Sequence, residues 1–106
     1  MITRCTDCVR HFIMPYDYEE IEEVSVTFSQ NGRPIVTKEN DDLEYDQATK
    51  TLIAHLLPGD TACFGYGATD SKTVYVQLLV KLTSGKTYGS NVFKERLEDN
   101  LKGGLL

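Results

Sequence analysis

The chain has 106 residues, 41% of them hydrophobic and 25% charged, which describes one globular domain over residues 1–106 rather than a disordered segment. Eleven Lys and Arg stand against sixteen Asp and Glu, a net charge of −5. That field repels phosphate backbones and anionic membrane surfaces, and Lys and Arg are scattered throughout, so neither nucleic acid nor membrane is an expected partner.

Met1-Ile2-Thr3-Arg4-Cys5 lacks the apolar core that a secretory leader carries after its positive charge. The longest apolar run, Val74 to Leu82, is broken by Gln77 and Lys81 and falls short of a membrane span. Three cysteines, an odd number, suit a reducing compartment better than a disulfide framework. The expected location is the cytoplasm of the producing cell.

Read in chain order, the dominant period is two. Arg10 to Met14 reads as a strand with Phe12 and Met14 on one face and His11 and Ile13 on the other. Tyr16 to Glu23 reads as a helical turn or a loop carrying a solvated Glu run. Val24, Val26 and Phe28 then alternate with Ser25, Thr27 and Ser29, which predicts a strand with one dry and one wet face. Asn31-Gly32 tolerates the positive φ of a tight hairpin, and Ile35-Val36-Thr37 supplies the return. Pro34 has no amide donor and belongs at a strand start or on a sheet edge.

Leu43 to Asp46 is expected to pair with Thr51 to Leu56 across Gln47 to Lys50, with Leu52, Ala54 and Leu56 sharing a face. Gly59 to Ser71 is the longest irregular stretch, read as a crossing between sheets. Thr73 to Thr83 predicts the strongest strand, with Val74, Val76, Leu78, Val80 and Leu82 on one face and Thr73, Tyr75, Gln77, Leu79 and Lys81 on the other. Ser84-Gly85-Lys86 turns the chain, and Thr87 to Lys94 reads as its return strand. Leu97 to Leu101 is predicted as a short helix stopped by Gly103-Gly104, followed by the apolar Leu105-Leu106.

The motifs that carry chemistry are few. Cys5-x-x-Cys8 has the spacing of half a zinc site, with His11 and Cys63 as the remaining candidate ligands, but no second Cys pair completes it. Cys63, among Thr61, Ala62 and Phe64, is expected to be a small buried hydrophobe. A redox role needs a helix N-terminus after a strand, and Cys5 and Cys8 precede an extended run instead. Asp42, Glu44 and Asp46 alternate as in a calcium loop, yet Gln47 stands where the bend needs glycine and Ile53 where a closing Glu belongs. The stretch reads better as a charged turn guarding a sheet edge. His11 and His55 fall in predicted strands, and no nucleophile elbow or phosphate loop accompanies them. No catalytic residue, cofactor or metal site is predicted.

Six tyrosines remain, a side chain suited to interfaces because a large apolar ring carries a polar tip. Tyr75 and Leu79 share the strand face opposite the dry one. That face either is exposed and invites a partner, or is covered by a second sheet. Phe64 and Tyr66, between Gly59 and Gly67, form a second candidate surface, with Asp60 or Asp70 supplying polar contacts to a ligand such as a carbohydrate.

Three stretches carry a resemblance: Val24 through Gly32, Leu57 through Phe64, and Val74 to Leu78 continuing through Gly85 to Ser90-Asn91-Val92. In order and spacing they resemble a family of short bacterial prophage-type proteins. The resemblance implies an immunoglobulin-like antiparallel β-sandwich with a virion- or tail-associated structural role, and incorporation of the chain in a virion. It supplies no catalytic residues. The Cys5–Cys8 segment and Gly65 to Gly67 depart from the pattern. The expected fold is all-β, a sandwich of about seven strands with little helix. The expected function is a non-catalytic structural or interaction domain that contacts a protein partner or itself. The alternative is a small ligand- or carbohydrate-binding module.

Overall fold

The computed structural model describes residues 1–99. Nine strands, one helical turn and two 3-10 turns occur among them. The larger sheet contains β1 (Ile2–Thr3), β3 (Ile21–Gln30), β4 (Arg33–Glu39), β7 (Thr73–Leu82), β8 (Thr87–Gly89) and β9 (Phe93–Glu98). Its order is β1-β9-β7-β3-β4, with β8 also paired to β7. The smaller sheet is β2 (Cys8–Ile13), β6 (Thr51–Leu56) and β5 (Leu43–Asp46), in the order β2-β6-β5. The protein is therefore all-β and sandwich-like, as the period-two alternation predicts.

One dry layer unites the two sheets. Val26 and Phe28 of β3, Val36 of β4, Val74, Val76, Leu78 and Val80 of β7, and Ile2 and Leu97 are buried from one side. Cys8, Leu52, Ala54 and Leu56 of the smaller sheet, with Met14 just beyond β2, meet them. Each strand contributes alternate residues because successive side chains point to opposite faces.

The β3–β4 hairpin closes as predicted. Asn31 and Gly32 both take positive φ, 56° and 75°, the requirement of a tight primed turn. The register slips between Phe28, opposite Val36, and Ser29, opposite Pro34. Ile35 is thus the extra residue of a bulge, and Pro34 sits on an edge strand where its missing donor breaks no ladder.

Four expectations need correcting. Leu97 is in strand β9 rather than a helix, fully buried and in parallel register with Ile2, while residues 100–106, including the Gly103-Gly104 stop and Leu105-Leu106, lie outside the described residues. A short pattern such as Glu95-Arg96-Leu97-Glu98 suits either conformation, and the distant N-terminal strand decides it. That β1–β9 pair is parallel, so the sheet is mixed rather than wholly antiparallel. The return strand Thr87–Lys94 is interrupted: Ser90 turns its hydroxyl to accept from the Leu78 amide at 3.0 Å, and the chain re-enters at Phe93 opposite Val76. Finally, Cys63 is exposed, because the helical turn α1 (Pro58–Thr61) points Thr61 and Phe64 inward and leaves Cys63 on the outside.

Candidate functional site

The Gly59–Ser71 segment is irregular but built. Gln30, at the end of β3, is 1% exposed. Its amide donates to the carbonyls of Gly65 (2.7 Å) and Ser71 (2.8 Å), and its carbonyl accepts from the Gly65 amide (2.8 Å). Asn31, in the adjoining turn, donates to Asp70 (2.9 Å) and accepts from the Ser71 amide (2.7 Å). Asp70 also accepts from the Gly67 amide at 2.8 Å. These contacts hold its carboxyl below the ordinary aspartate range, the Gly67 amide contributing most and Asn31 next. A Cβ at Gly65 would lie 2.5 Å from an Asp70 oxygen, so a larger residue there would displace the carboxylate from these bonds.

The side chains nominated for stacking on a ligand are used by the same structure. Phe64 is 0% exposed and packs in the core, so its ring presents no face to solvent. Tyr66 is half-buried, and the Lys72 ammonium lies 4.0 Å from its ring centroid. Asp60 caps its own helical turn, accepting from the Leu57 amide at 2.8 Å, and pairs with Lys38 at 2.9 Å. Burial alone would raise the Asp60 carboxyl, but Lys38 and the Leu57 amide together hold it below its usual value.

Tyr75 and Leu79 lie on the outer face of the larger sheet, 37% and 48% exposed, so this face is not covered by the second sheet. Their neighbours across the strands are Ser29 and Lys94 for Tyr75, and Ser25 and Gly89 for Leu79. Two apolar side chains thus stand in a field rich in Ser and Thr, a thin patch.

A more continuous apolar surface lies elsewhere. By register Tyr88 opposes Val80 and Phe93 opposes Val76, so both point toward the sandwich interior. Both nevertheless remain more than 40% exposed. The smaller sheet ends at β2, and β2 does not reach over them. Phe12 of β2 leans on Phe93, with ring centroids 6.4 Å apart, and Tyr16 meets Tyr88 edge-on at 5.9 Å. Two adjoining hollows of about 300 and 230 Å³ share His11, Phe12 and Phe93.

The outer edge of β2 pairs with no strand among the described residues. Of the other free edges, β4 carries Pro34 and Lys38, β5 carries Glu44 and Asp46, and β1 and β8 are only two and three residues long. β2 reads Cys-Val-Arg-His-Phe-Ile and ends in Ile13, which is 85% exposed. Its one permanent charge, Arg10, donates from Nη1 to the Val9 carbonyl of the same strand at 2.9 Å and reaches across to the other sheet. Arg10 grips Glu95 of β9 through both guanidinium arms, Nε to Oε2 at 2.7 Å, and bridges the two sheets. Burial pushes the Glu95 carboxyl up, but the Arg10 bonds and the N-terminal ammonium outweigh it and hold the group below its usual value. Sequence reasoning missed this surface, because nothing local shows that β2 is an edge or that the Thr87–Lys94 strand breaks beside it.

The remaining candidates for chemistry are placed as follows. Cys5, Cys8 and Cys63 are free thiols, and burial raises the Cys8 thiol above its ordinary value, which disfavours the reactive thiolate. No group of three or more His, Cys, Asp or Glu among the described residues is arranged to hold a metal ion. Glu44 and Asp46 lie in a strand, and Asp42 in the 3-10 turn Asn40–Asp42, so the three carboxylates do not wrap one point. His55 approaches Glu44 at 3.5 Å on the surface. No helix among the described residues is long and apolar enough to cross a membrane.

No family model matches this chain, and no curated protein or solved structure does so either.

Proposed function

We propose that this chain is a non-catalytic interaction domain that accepts an extended strand of a protein partner, or of a second copy of itself, along β2. The observation that carries this reading is the β2 edge, which pairs with no strand among the described residues, beside two interior-facing aromatics, Tyr88 and Phe93, that the smaller sheet leaves half exposed. Main-chain hydrogen bonds along such an edge supply affinity, and alternate side chains entering the hollows supply selectivity. Pairing of β2 with its counterpart in a second copy would be self-complementary, the arrangement a two-fold dimer requires.

The resemblance to short prophage-type proteins supports a structural role in a virion or tail, and an immunoglobulin-like strand arrangement fits that setting. The carbohydrate-binding alternative draws no support from Phe64, Tyr66, Asp60 or Asp70, whose rings and carboxylates are engaged internally.

Light scattering over a wide concentration range tests the reading. The expected result is a mass that rises with concentration for the native chain and stays monomeric for Phe93→Ser. Should the chain remain monomeric throughout, and bind no β-strand peptide offered to it, the reading fails.

A further inference from the structure

Two acidic stretches that are separate in the sequence meet at one end of the sandwich. The 3-10 turn Tyr18–Glu20 precedes β3, and the turn Asn40–Asp42 precedes β5. Asn40 is held against β3 by accepting a hydrogen bond from the Val24 amide at 3.0 Å. Between the two turns opens a cleft of about 570 Å³, within the usual range for ligand sites. Its apolar lining is Ile21, Val24, Leu43 and Leu52, and Tyr18 and Tyr45 also wall it. The two rings are 5.5 Å apart, and the Tyr45 hydroxyl donates to the Tyr16 carbonyl at 2.6 Å, which fixes that wall in place. Tyr18 is 57% exposed and presents its ring to an incoming group.

The rim is anionic. Glu22 and Asp41 line the cleft, and Asp17 and Glu19 line the hollow beside it. Lys38 is taken by Asp60, while Lys50 and Lys81 reach in to pair with Asp17 (3.0 Å) and Glu22 (3.8 Å). Asp41, which lines the cleft, and Glu19, which lines an adjoining hollow of about 240 Å³, form no ion pair with a described residue. An apolar floor, two tyrosine rings and an unbalanced negative rim are complementary to a long cationic side chain. Its methylene stem covers the floor, its charged head reaches the rim, and a tyrosine face attracts the cation.

We propose that this cleft receives a basic segment of a partner protein, with a Lys or Arg side chain lying along Tyr18 and its head between Asp41 and Glu19. The site is distinct from the β2 edge, and the proposal does not rest on strand addition.

Fluorescence anisotropy with a dye-labelled octapeptide of alternating Arg and Leu tests it, with an alternating Glu and Leu octapeptide as the counterpart. The expected result is binding of the Arg peptide alone, weakening as salt rises. Tyr18→Ala and the shape-preserving Asp41→Asn should each weaken it by about tenfold, whereas Asp7→Asn, an exposed acid elsewhere, should leave it unchanged. Failure of the Arg peptide to bind overturns the proposal. Equal weakening by Asp7→Asn would mean diffuse charge attraction and also overturns it. Argininamide binding as tightly as the peptide would replace the peptide with a small cation. Loss of binding in Phe93→Ser, with Tyr18→Ala unaffected, would move the peptide to the β2 side: the cleft proposal would then fall while strand addition stood.

Discussion

The Gly59–Ser71 loop and the β2 side of the sandwich differ in how their interacting groups are used. The loop is glycine-rich and irregular, yet Gln30 and Asn31 hold its backbone and Asp70 accepts from two of its neighbours. The β2 side is regular strand, yet one edge of that strand is unpaired and the aromatics beside it are half exposed. Irregular backbone is therefore no guide to an available surface. What decides is whether donors, acceptors and apolar faces already have partners within the chain.

The largest effect that sharpens this contrast is expected at Phe64. Truncating a fully buried ring costs about 3–5 kcal/mol, so Phe64→Ala should lower the urea midpoint drastically. A ligand-stacking ring on the surface would instead tolerate the change. Next comes Gln30→Leu, which strands the Gly65 amide and two carbonyls without their partners; about 2–4 kcal/mol is expected from the same measurement. A near-neutral result would mean that the loop is not anchored from β3.

Across the sandwich, Glu95→Gln weakens the grip of Arg10 and should cost about 1–2 kcal/mol at neutral pH. It should also alter the acid limb of stability. Glu95 has a folded-state pKa below its ordinary 4.5, so its contribution is complete above that value and disappears as pH falls through the lowered folded one. Denaturant titrations from neutral to acid pH should therefore show a steeper loss for the native chain than for Glu95→Gln, and parallel curves would refute the coupling. Smallest of all is Leu79→Ser on the Ser- and Thr-rich outer face, expected within about 0.5 kcal/mol of the native chain.

Much of the architecture is legible in the residues themselves. The alternations Val24-Val26-Phe28 and Val74-Val76-Leu78-Val80 announce strands with one dry face, and Asn31-Gly32 announces its hairpin, because each signal is local. Phe64 is misjudged as a surface ring because its neighbours are turn formers, while its burial depends on strands far along the chain. Leu97 is misjudged as helical because its strand partner is Ile2. Tyr75 and Leu79 are legible as a shared face, and the structure resolves the open question of their exposure. The meeting of Tyr18 with Tyr45, and of Phe12 with Phe93, is set by sheet order, which no period in the sequence reveals.

Strand addition at β2 is tested most directly by amide hydrogen exchange, read residue by residue at low and high protein concentration and with an added β-strand peptide. Pairing along β2 predicts new protection at the outward amides of Val9, His11 and Ile13 and none at the guarded edge Arg33 to Glu39. Exchange at Val9, His11 and Ile13 that stays unchanged under every condition, or protection gained only along Arg33 to Glu39, would contradict it.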